Sequence, residues 1–521
     1  MSVTRGTSLT NSQNTLLYSA ESVRAIDQYV IENQGVEGFE LMQRAAAAAF
    51  RQLVREWPQA SPLLIFCGGG NNGGDGYLVA AAARRHGLRV RCLAVKDPAE
   101  LKGDAASAYE KARADGVAID RWNDIGERDR HALFASAGLI VDAMLGTGVE
   151  GAPREPYAGI IEACNESGAP VLAVDIPSGL NATTGVTEGA VIHASVTVTF
   201  IALKSGLFLG QGPECAGRVD FEALDLAVDA TVHGQSPNAV RFDWSALRRQ
   251  LPRRPVTAHK GRFGHVLVVA GDRGFGGAGL MAAEAAARAG AGLVTLATHA
   301  DHVAAALTRC PSLMVRGVSH GSELAELIDA ADTLVCGPGL GQHAWGQQML
   351  QQVLKSGKRR ILDADALNLL AKQAAEPFPD QVLTPHPGEA ARLLQCSPKD
   401  IEADRLEAAA AIQRKFGGVA LLKGAGTVVA DGQSGPWVLD GGNPGMATGG
   451  MGDILSGLVG ALLGQGLAPL DAARMAAGLH LAAANAACRH WGYMGLLPTD
   501  LLTVVPRLLA VAEGLVDGGE L

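Results

Sequence analysis

The 521-residue chain has no basic surplus: 44 Lys and Arg stand against 53 Asp and Glu, a formal charge of −9. A protein that coats nucleic acid binds through a basic surface that releases counterions, so that class is excluded and only a local basic pocket remains compatible. Cysteine is sparse too. The nearest two of the eight, Cys67 and Cys92, lie 25 positions apart, which removes CxxC redox and zinc-ribbon spacings and any disulfide scaffold. They read as reduced core residues. The most apolar stretches, such as 454–464, fall short of the ~18 residues that cross a bilayer. The first fifteen or so residues are rich in Ser, Thr and Asn and lack an apolar h-region, so a frayed tail is expected in place of a signal peptide. These absences lead to the expectation of a cytoplasmic protein with no membrane and no nucleic-acid partner.

What is present is apolar mass and glycine. At roughly 150 residues per domain the length suggests two to four domains, and 48% apolar residues suffice for more than one core. The 66 glycines and 23 prolines make up about 17% of the chain, above the usual ~12% but below the ~25% at which packing fails. Glycine-dense loops on folded scaffolds follow. Two helical patterns open the folded part, one with Val23, Ile26 and Val30 on its face and one running from Phe39 to Trp57. Short β-branched strands then alternate with helical stretches at 63–67, 88–95, 139–145, 170–176 and 195–200, with a helix expected from Gly76 to His86. Strands apolar on both faces belong in a covered parallel sheet, so the fold class is α/β. The pattern dissolves between about 222 and 262, placing a boundary near 230–240, and strands at 265–270, 293–298, 333–337, 360–365, 381–385 and 418–423 build a second α/β domain.

Three motifs of the first half carry chemistry. The run GGGNNGGDG between Cys67 and Tyr77 leaves a strand and enters a helix, so free amides and the helix N-terminus can gather around a phosphate. No Lys-Ser/Thr follows, so it is not a Walker A loop. Gly146, Gly148 and Gly151 form a nominal GxGxxG, but Pro153 and Pro156 stand where its helix should continue, which favours a binding loop. Asp142 and Asp175 lie near the C-terminal ends of apolar strands, where open α/β sheets bind ligands, though either alone equally suits a loop cap. Asn72, Asp142 and Ser178 offer oxygens to a hard cation, and the absence of clustered Cys or His disfavours zinc.

In the second half, GNPGMATGGMGDILSGLVGALLG (442–464) places glycines and Asp453 before an apolar helix, with helix 453–464 expected after the loop. That is an anion cradle with a carboxylate at its mouth, able to accept a proton from an attacking hydroxyl. Lys423 and the small residues after it, in KGAGTVVAD, can sit against a nucleotide. His386 is fixed between two prolines, as a positioned side chain or as a cap. Asp363 and Asp365 suit a carboxylate pair or a helix N-cap equally, and Asp500 reads as the cap of the last helix.

The three first-half motifs, in order, resemble the NAD(P)H-hydrate epimerase family over residues 18–228. That resemblance implies a Rossmann-like three-layer domain that interconverts the R and S epimers of NAD(P)H hydrated at nicotinamide C6, with bound K+. It assigns Asn71, Asn72, Gly73, Gly74 and Asp75 to the hydrate site, together with Gly146, Thr147, Gly148, Val149, Glu150, Gly151 and Ala152. Asn72, Asp142 and Ser178 would hold the K+, Asp175 would contact the hydrate as acid or base, and Lys96 would help unless it is merely solvated.

The second half, with HKGRFGHVLVVAGD at 259–272 and CGPGLG, resembles the ADP-dependent (S)-NAD(P)H-hydrate dehydratase family, ribokinase-like α/β proteins, over residues 236–515. This implies hydrate contacts from Ala278, Gly339 or Gly341, His386 and Asp453, and adenine-nucleotide contacts from Lys423, Gly424, Ala425, Gly426, Thr427 and Gly452. ADP as phosphoryl donor and Mg2+ on its phosphates are implied with it. The whole is expected to take NAD(P)H hydrate and an adenine nucleotide and to assemble as a homo-oligomer. The rival reading is a small-alcohol kinase fused to a ligand- or protein-binding module.

Overall fold

The structure, a computed structural model, describes residues 15–148, 151–226, 234–374 and 376–517. The expected N-terminal tail, Val149 and Glu150 of the glycine loop, and the limit at 228 of the first expected domain lie outside the described residues. The chain forms two compact units, 1–240 and 241–521.

The first unit is built on a seven-stranded parallel sheet in the order Ile119–Arg121, Val90–Ala94, Leu63–Cys67, Leu139–Ala143, Val171–Val174, Val196–Phe200, Arg218–Glu222. Alternation along Leu63–Cys67 feeds two cores. Leu63, Ile65 and Cys67 meet Ile26, Ala45, Leu53 and Tyr77 on one face, while Leu64 and Phe66 meet Ile140 and Ile160 on the other. Helices therefore cover both faces, giving the three layers expected. The order of strands reverses between Leu63–Cys67 and Leu139–Ala143, so the loops leaving these two neighbours diverge and open a crevice. The GGGNNGGDG run is not a loop followed by a helix from Gly76. The helix is Asn71–Arg85, so Asn71 to Asp75 form its first turns, and the amides of Asn71, Asn72 and Gly73, which have no carbonyl to pair with inside the helix, face that crevice. Glycine is required here by contact: a Cβ on Gly68 would lie 1.8 Å from the Met144 carbonyl oxygen, and one on Gly73 2.1 Å from that of Gly68.

The second unit repeats the logic. Its sheet runs Met314–Gly317, Leu293–Thr298, His265–Val269, Thr333–Cys336, Arg359–Leu362, Gln381–Leu383, Val419–Leu422, all parallel, and continues into antiparallel Val428–Ala430 and Trp437–Leu439. Val266, Val268, Val335 and Ile361 pack under helices Gly276–Arg288, Met451–Gly464 and Pro469–Trp491, while Leu267, Val269, Leu334 and Leu362 are buried on the other face. The crossover again falls beside the first strand of the set, between His265–Val269 and Thr333–Cys336. Helix Met451–Gly464 starts two residues earlier than expected, which puts Asp453 inside its first turn. No helix among the described residues is long and apolar enough to cross a membrane. The cysteines are free and mostly buried as expected, except that Cys396 is exposed.

Candidate active sites

At the crevice of the first unit, Asp142 at the end of its strand is fully buried and receives hydrogen bonds from Ser178 Oγ at 2.6 Å, Ser178 N at 2.8 Å and Met144 N at 3.2 Å. Leu145 N donates to Ser178 Oγ (2.9 Å), and Asn72 Nδ2 donates to the Leu145 carbonyl (3.1 Å). Asn72, Asp142 and Ser178 are thus brought together around one backbone residue. Asn72 Oδ1 is buried without a hydrogen-bond partner among the described residues. Burial pushes Asp142 up to about 6 against the pull of the Ser178 and Met144 hydrogen bonds, and no cation among the described residues opposes the rise. An orphaned amide oxygen beside an uncompensated carboxylate, with hydroxyl and carbonyl oxygens adjoining, fits a hard monovalent cation.

Asp175 follows strand Val171–Val174 with φ of 67°, a left-handed conformation that costs a non-glycine residue roughly 1–3 kcal/mol and turns the side chain out of the strand path. Its Oδ1 accepts from Phe200 N at 3.2 Å, from Thr199 Oγ1 at 3.3 Å and from Lys204 Nζ. Lys204 is 1% exposed, and its ammonium also donates to Thr199 Oγ1 (3.1 Å) and the Phe200 carbonyl (3.0 Å). Two further carboxylates share this space. Burial raises Asp27 to about 6, with Lys204 opposing and Asp175 adding to the rise, and it raises Asp75 strongly, with Asp175 and Asp27 adding to it. The lysine that pairs with Asp175 is Lys204. Lys96 lays its stem over Gly69, pairs with Glu100 at 3.4 Å and is 44% exposed.

Other described residues of the expected hydrate loop lie alongside. Gly146 abuts the Asn72 side chain, and Arg24 donates to the Thr147 carbonyl at 2.9 Å. Gly146 and Gly151 line a cleft with Gly179, Leu180, Asn181 and Glu188, and Ala152 packs against Gly189. Sequence reasoning missed Asp27 and Lys204. The signals were a carboxylate next to Ile26 on a buried helical face and a lysine ending the apolar run TFIALK.

In the second unit, Lys423 leaves strand Val419–Leu422 and its Nζ lies 2.7 Å from Asp363 Oδ1 and 3.7 Å from Glu389 Oε2. Burial alone would lower it, but the carboxylates of Asp363, Glu389 and Asp453 outweigh that and raise it. Asp363 is not a cap. It stands at the N-cap position of Ala364–Leu370 without capping, 1% exposed, and its Oδ2 accepts from Ser456 Oγ at 2.6 Å. Asp365 instead fastens the CGPGLG loop, accepting from Gly341 N at 3.0 Å. Asp453 is pushed up to about 7 by burial and by Asp363 and Glu389, with Lys423 pulling the other way. Gly452 is where a Cβ would come within 3.1 Å of Lys423 Nζ, so its amide and that ammonium share one space.

The loop Lys423–Thr427 is tied by Thr427 Oγ1 to the Gly424 carbonyl (2.8 Å) and by Gly426 N to that of Gly441 (3.3 Å), with Ala425 against Gly442. Arg405, 2% exposed, holds the Lys423 carbonyl at 3.0 Å. His386 is both positioned and a cap: its Nδ1 accepts from Gly388 N at 3.0 Å, and burial plus the charges of Lys423 and Arg392 lower it. Gly339 is the glycine that adjoins Ala278, while Gly341 adjoins Asp272. Asp500 caps as expected, accepting from Leu497 N at 2.8 Å.

Two family models match the chain. Residues 38–206 match the YjeF-related protein N-terminus, and residues 266–507 match NAD(P)H-hydrate dehydratase. The bifunctional NAD(P)H-hydrate repair enzyme Nnr of Escherichia coli K12 is 45% identical over 494 residues, which cover 95% of this chain and 94% of that one. The Coxiella burnetii protein of the same name is 42% identical, covering 94% of this chain and 98% of its own. Among solved structures, an ADP/ATP-dependent NAD(P)H-hydrate dehydratase from Bacillus subtilis, co-crystallized with ATP and Mg2+, is 29% identical over 52% of this chain and 97% of its own, with a TM-score of 0.47. The full-length match, with both halves in the same order, establishes that the chain belongs to the bifunctional NAD(P)H-hydrate repair enzyme family.

Proposed function

We propose that the first unit, spanning the expected 18–228, interconverts the R and S epimers of hydrated NAD(P)H, and that the second, spanning 236–515, dehydrates the S form at the expense of ADP. The observation that carries this is the pairing, in one chain of this family, of two crevices that each present a lysine among carboxylates, buried in the first and half-buried in the second, beside a glycine-opened helix N-terminus. The C6 hydroxyl sits on a carbon next to the ring nitrogen. Protonating it lets the nitrogen lone pair expel water, and water returning to the other face of the flat cation gives the opposite epimer. The reaction needs an acid and a base, and Asp175, ion-paired to Lys204, is the base.

Asn72, Asp142 and Ser178 would hold a K+ ion, which would neutralise Asp142 and add positive charge beside the phosphate-binding amides. Asn72→Leu is expected to make epimerisation insensitive to the monovalent cation while the wild type loses rate when K+ is replaced by a tetraalkylammonium ion; equal dependence in both would refute the assignment.

In the second crevice Asp453 takes the C6 hydroxyl proton while the amides of Gly450–Gly452 and Lys423 gather the nucleotide's terminal phosphoryl group. Phosphate, a far better leaving group than hydroxide, departs as the ring nitrogen pushes in, and loss of the C5 proton restores NAD(P)H. Among the described residues no group of three or more His, Cys, Asp or Glu could hold a metal. The donor set therefore fits Mg2+ only as an ion carried on the nucleotide's phosphates, where it would neutralise charge. The test is a purified full chain given both hydrate epimers with ADP or ATP. Complete conversion to the reduced nicotinamide with release of free phosphate supports the reading, and a stable phosphoester product would replace it with a kinase. Cytoplasmic residence and a homo-oligomeric state belong to the same proposal.

A further inference from the structure

The loop Lys423–Thr427, which meets the adenine nucleotide in the dehydratase reading on which this inference rests, turns strand Val419–Leu422 back into antiparallel Val428–Ala430. Arg405 stands behind that turn. It is the first residue of helix Arg405–Phe416, which Asp404 caps by accepting from Glu407 N at 3.0 Å. Ala409 and Ile412 of the helix are fully buried, so the arginine grows from a fixed base. Its buried guanidinium donates through Nη2 to the carbonyls of Lys423 (3.0 Å) and Leu422 (3.4 Å), and through Nη1 to Glu402 Oε1 (2.8 Å). Nε is buried with no hydrogen-bond partner among the described residues. A buried cation with a spare donor and one half-exposed carboxylate contributes little to stability, because an apolar side chain of similar volume avoids the desolvation.

What the arginine adds is geometry. Lys423 N donates to the Pro385 carbonyl at 2.8 Å, so the backbone of this residue is held from two sides, by the segment after strand Gln381–Leu383 and by Arg405. Gly424 then turns with φ of 142°, and a Cβ there would lie 2.7 Å from Arg405 Nη2. The close approach of the fork thus requires glycine at this position. We propose that Arg405 is a positioning residue for the nucleotide: it pins the carbonyls of Leu422 and Lys423 from behind, so that the loop Lys423–Thr427 keeps the shape that takes the nucleotide. The far end of Lys423 is held separately, by Asp363 at 2.7 Å, so loss of the clamp weakens nucleotide binding more than it slows phosphoryl transfer.

The experiment compares the full-length wild type, Arg405→Lys and Glu402→Gln. Binding of ADP and of ATP, each with Mg2+, is titrated by calorimetry without hydrate, and dehydration of the S hydrate is followed beside it. Lysine keeps the charge but offers one ammonium where the planar fork reached two carbonyls and a carboxylate. Arg405→Lys is expected to raise both Kd and KM for the nucleotide about tenfold, with kcat within about threefold and KM for the hydrate within about twofold. Glu402→Gln removes the ion pair and leaves the carbonyl contacts, so its nucleotide Kd should stay within about twofold of the wild type. A wild-type Kd in Arg405→Lys overturns the proposal. So does a variant that fails to fold, or one that loses kcat with both KM values unchanged, because the arginine is then structural. An equal loss of affinity in Glu402→Gln would assign the effect to the ion pair and overturn it as well. A wild type that binds nucleotide more tightly than Arg405→Lys yet dehydrates no hydrate removes the dehydratase reading and leaves the clamp standing, whereas a wild type that binds no nucleotide removes both.

Discussion

Replacing Asp453 with Asn is expected to cut nucleotide-dependent dehydration of the S hydrate by roughly 10²–10⁴-fold while exchange between epimers continues at the wild-type rate. The substitution keeps shape and packing at the third residue of helix Met451–Gly464 but removes the lone pair that takes the C6 hydroxyl proton. It also removes a negative charge, so Lys423 keeps its pairs with Asp363 and Glu389 and the phosphate cradle stays assembled. KM for the nucleotide should therefore change little, which separates loss of a base from loss of a binding site. The pH dependence gives a second check. Burial and the neighbouring acids place Asp453 at about 7, and only its ionised form is a base. Wild-type kcat/KM should fall as pH drops through about 7, and the residual rate of the variant should lack that limb. Phosphate release and the reduced-nicotinamide absorbance report both quantities. Wild-type dehydration by Asp453→Asn would eliminate this carboxylate as the base.

The sheets and the glycine loops were legible in the sequence because each rests on short-range patterns. Strands buried on both faces read as apolar runs, and a loop that must approach a neighbouring backbone within 2 Å of a would-be Cβ reads as glycine. Where helix Asn71–Arg85 begins was not legible, because Asn71, Gly73 and Gly74 have low helix propensity and are held helical by close packing, Gly74 against Met42 and Gly76 against Ala143.

The acids and lysines of the two sites were only partly legible, for a different reason. Asp363 reads as a cap from its position before Ala364–Leu370, yet its carboxylate points at Lys423, sixty positions away, and at Ser456. Nothing local distinguishes those fates. Lys96 and Lys204 both follow strands in the sequence. What separates them is that Lys204 lies on a strand packed inside the unit, whereas Lys96 opens onto solvent beside Glu100. Each is a tertiary fact, set by which loops the parallel sheet carries to its crossover point.

Both crevices converge on one arrangement, an ammonium facing three carboxylates, and removing the fully buried one, Lys204, gives the largest effect on stability. Lys204→Met is expected to abolish measurable epimerisation and to destabilise the first unit by about 3–5 kcal/mol, the usual result of stranding a buried charge. For a unit of this size that lowers its melting temperature by roughly 6–20 °C. The loss should depend on pH with a definite sign. Lys204 pulls Asp27 and Asp75 down against their burial, so without it both climb further above their unfolded values. The folded variant then holds protons that the unfolded chain releases, and stability rises as pH falls. The gap between variant and wild type should be widest at neutral and alkaline pH and narrow as acid protonates the stranded carboxylates. Lys204→Arg separates charge from geometry: it restores a cation but replaces a three-way ammonium with a planar fork that cannot reproduce the contacts to Asp175, Thr199 and Phe200. It should recover part of the stability and little of the activity. Thermal unfolding between pH 5 and 8, read beside epimer exchange, decides the matter: a Lys204→Met chain as stable as the wild type at every pH would mean that the three acids are compensated by something other than this lysine.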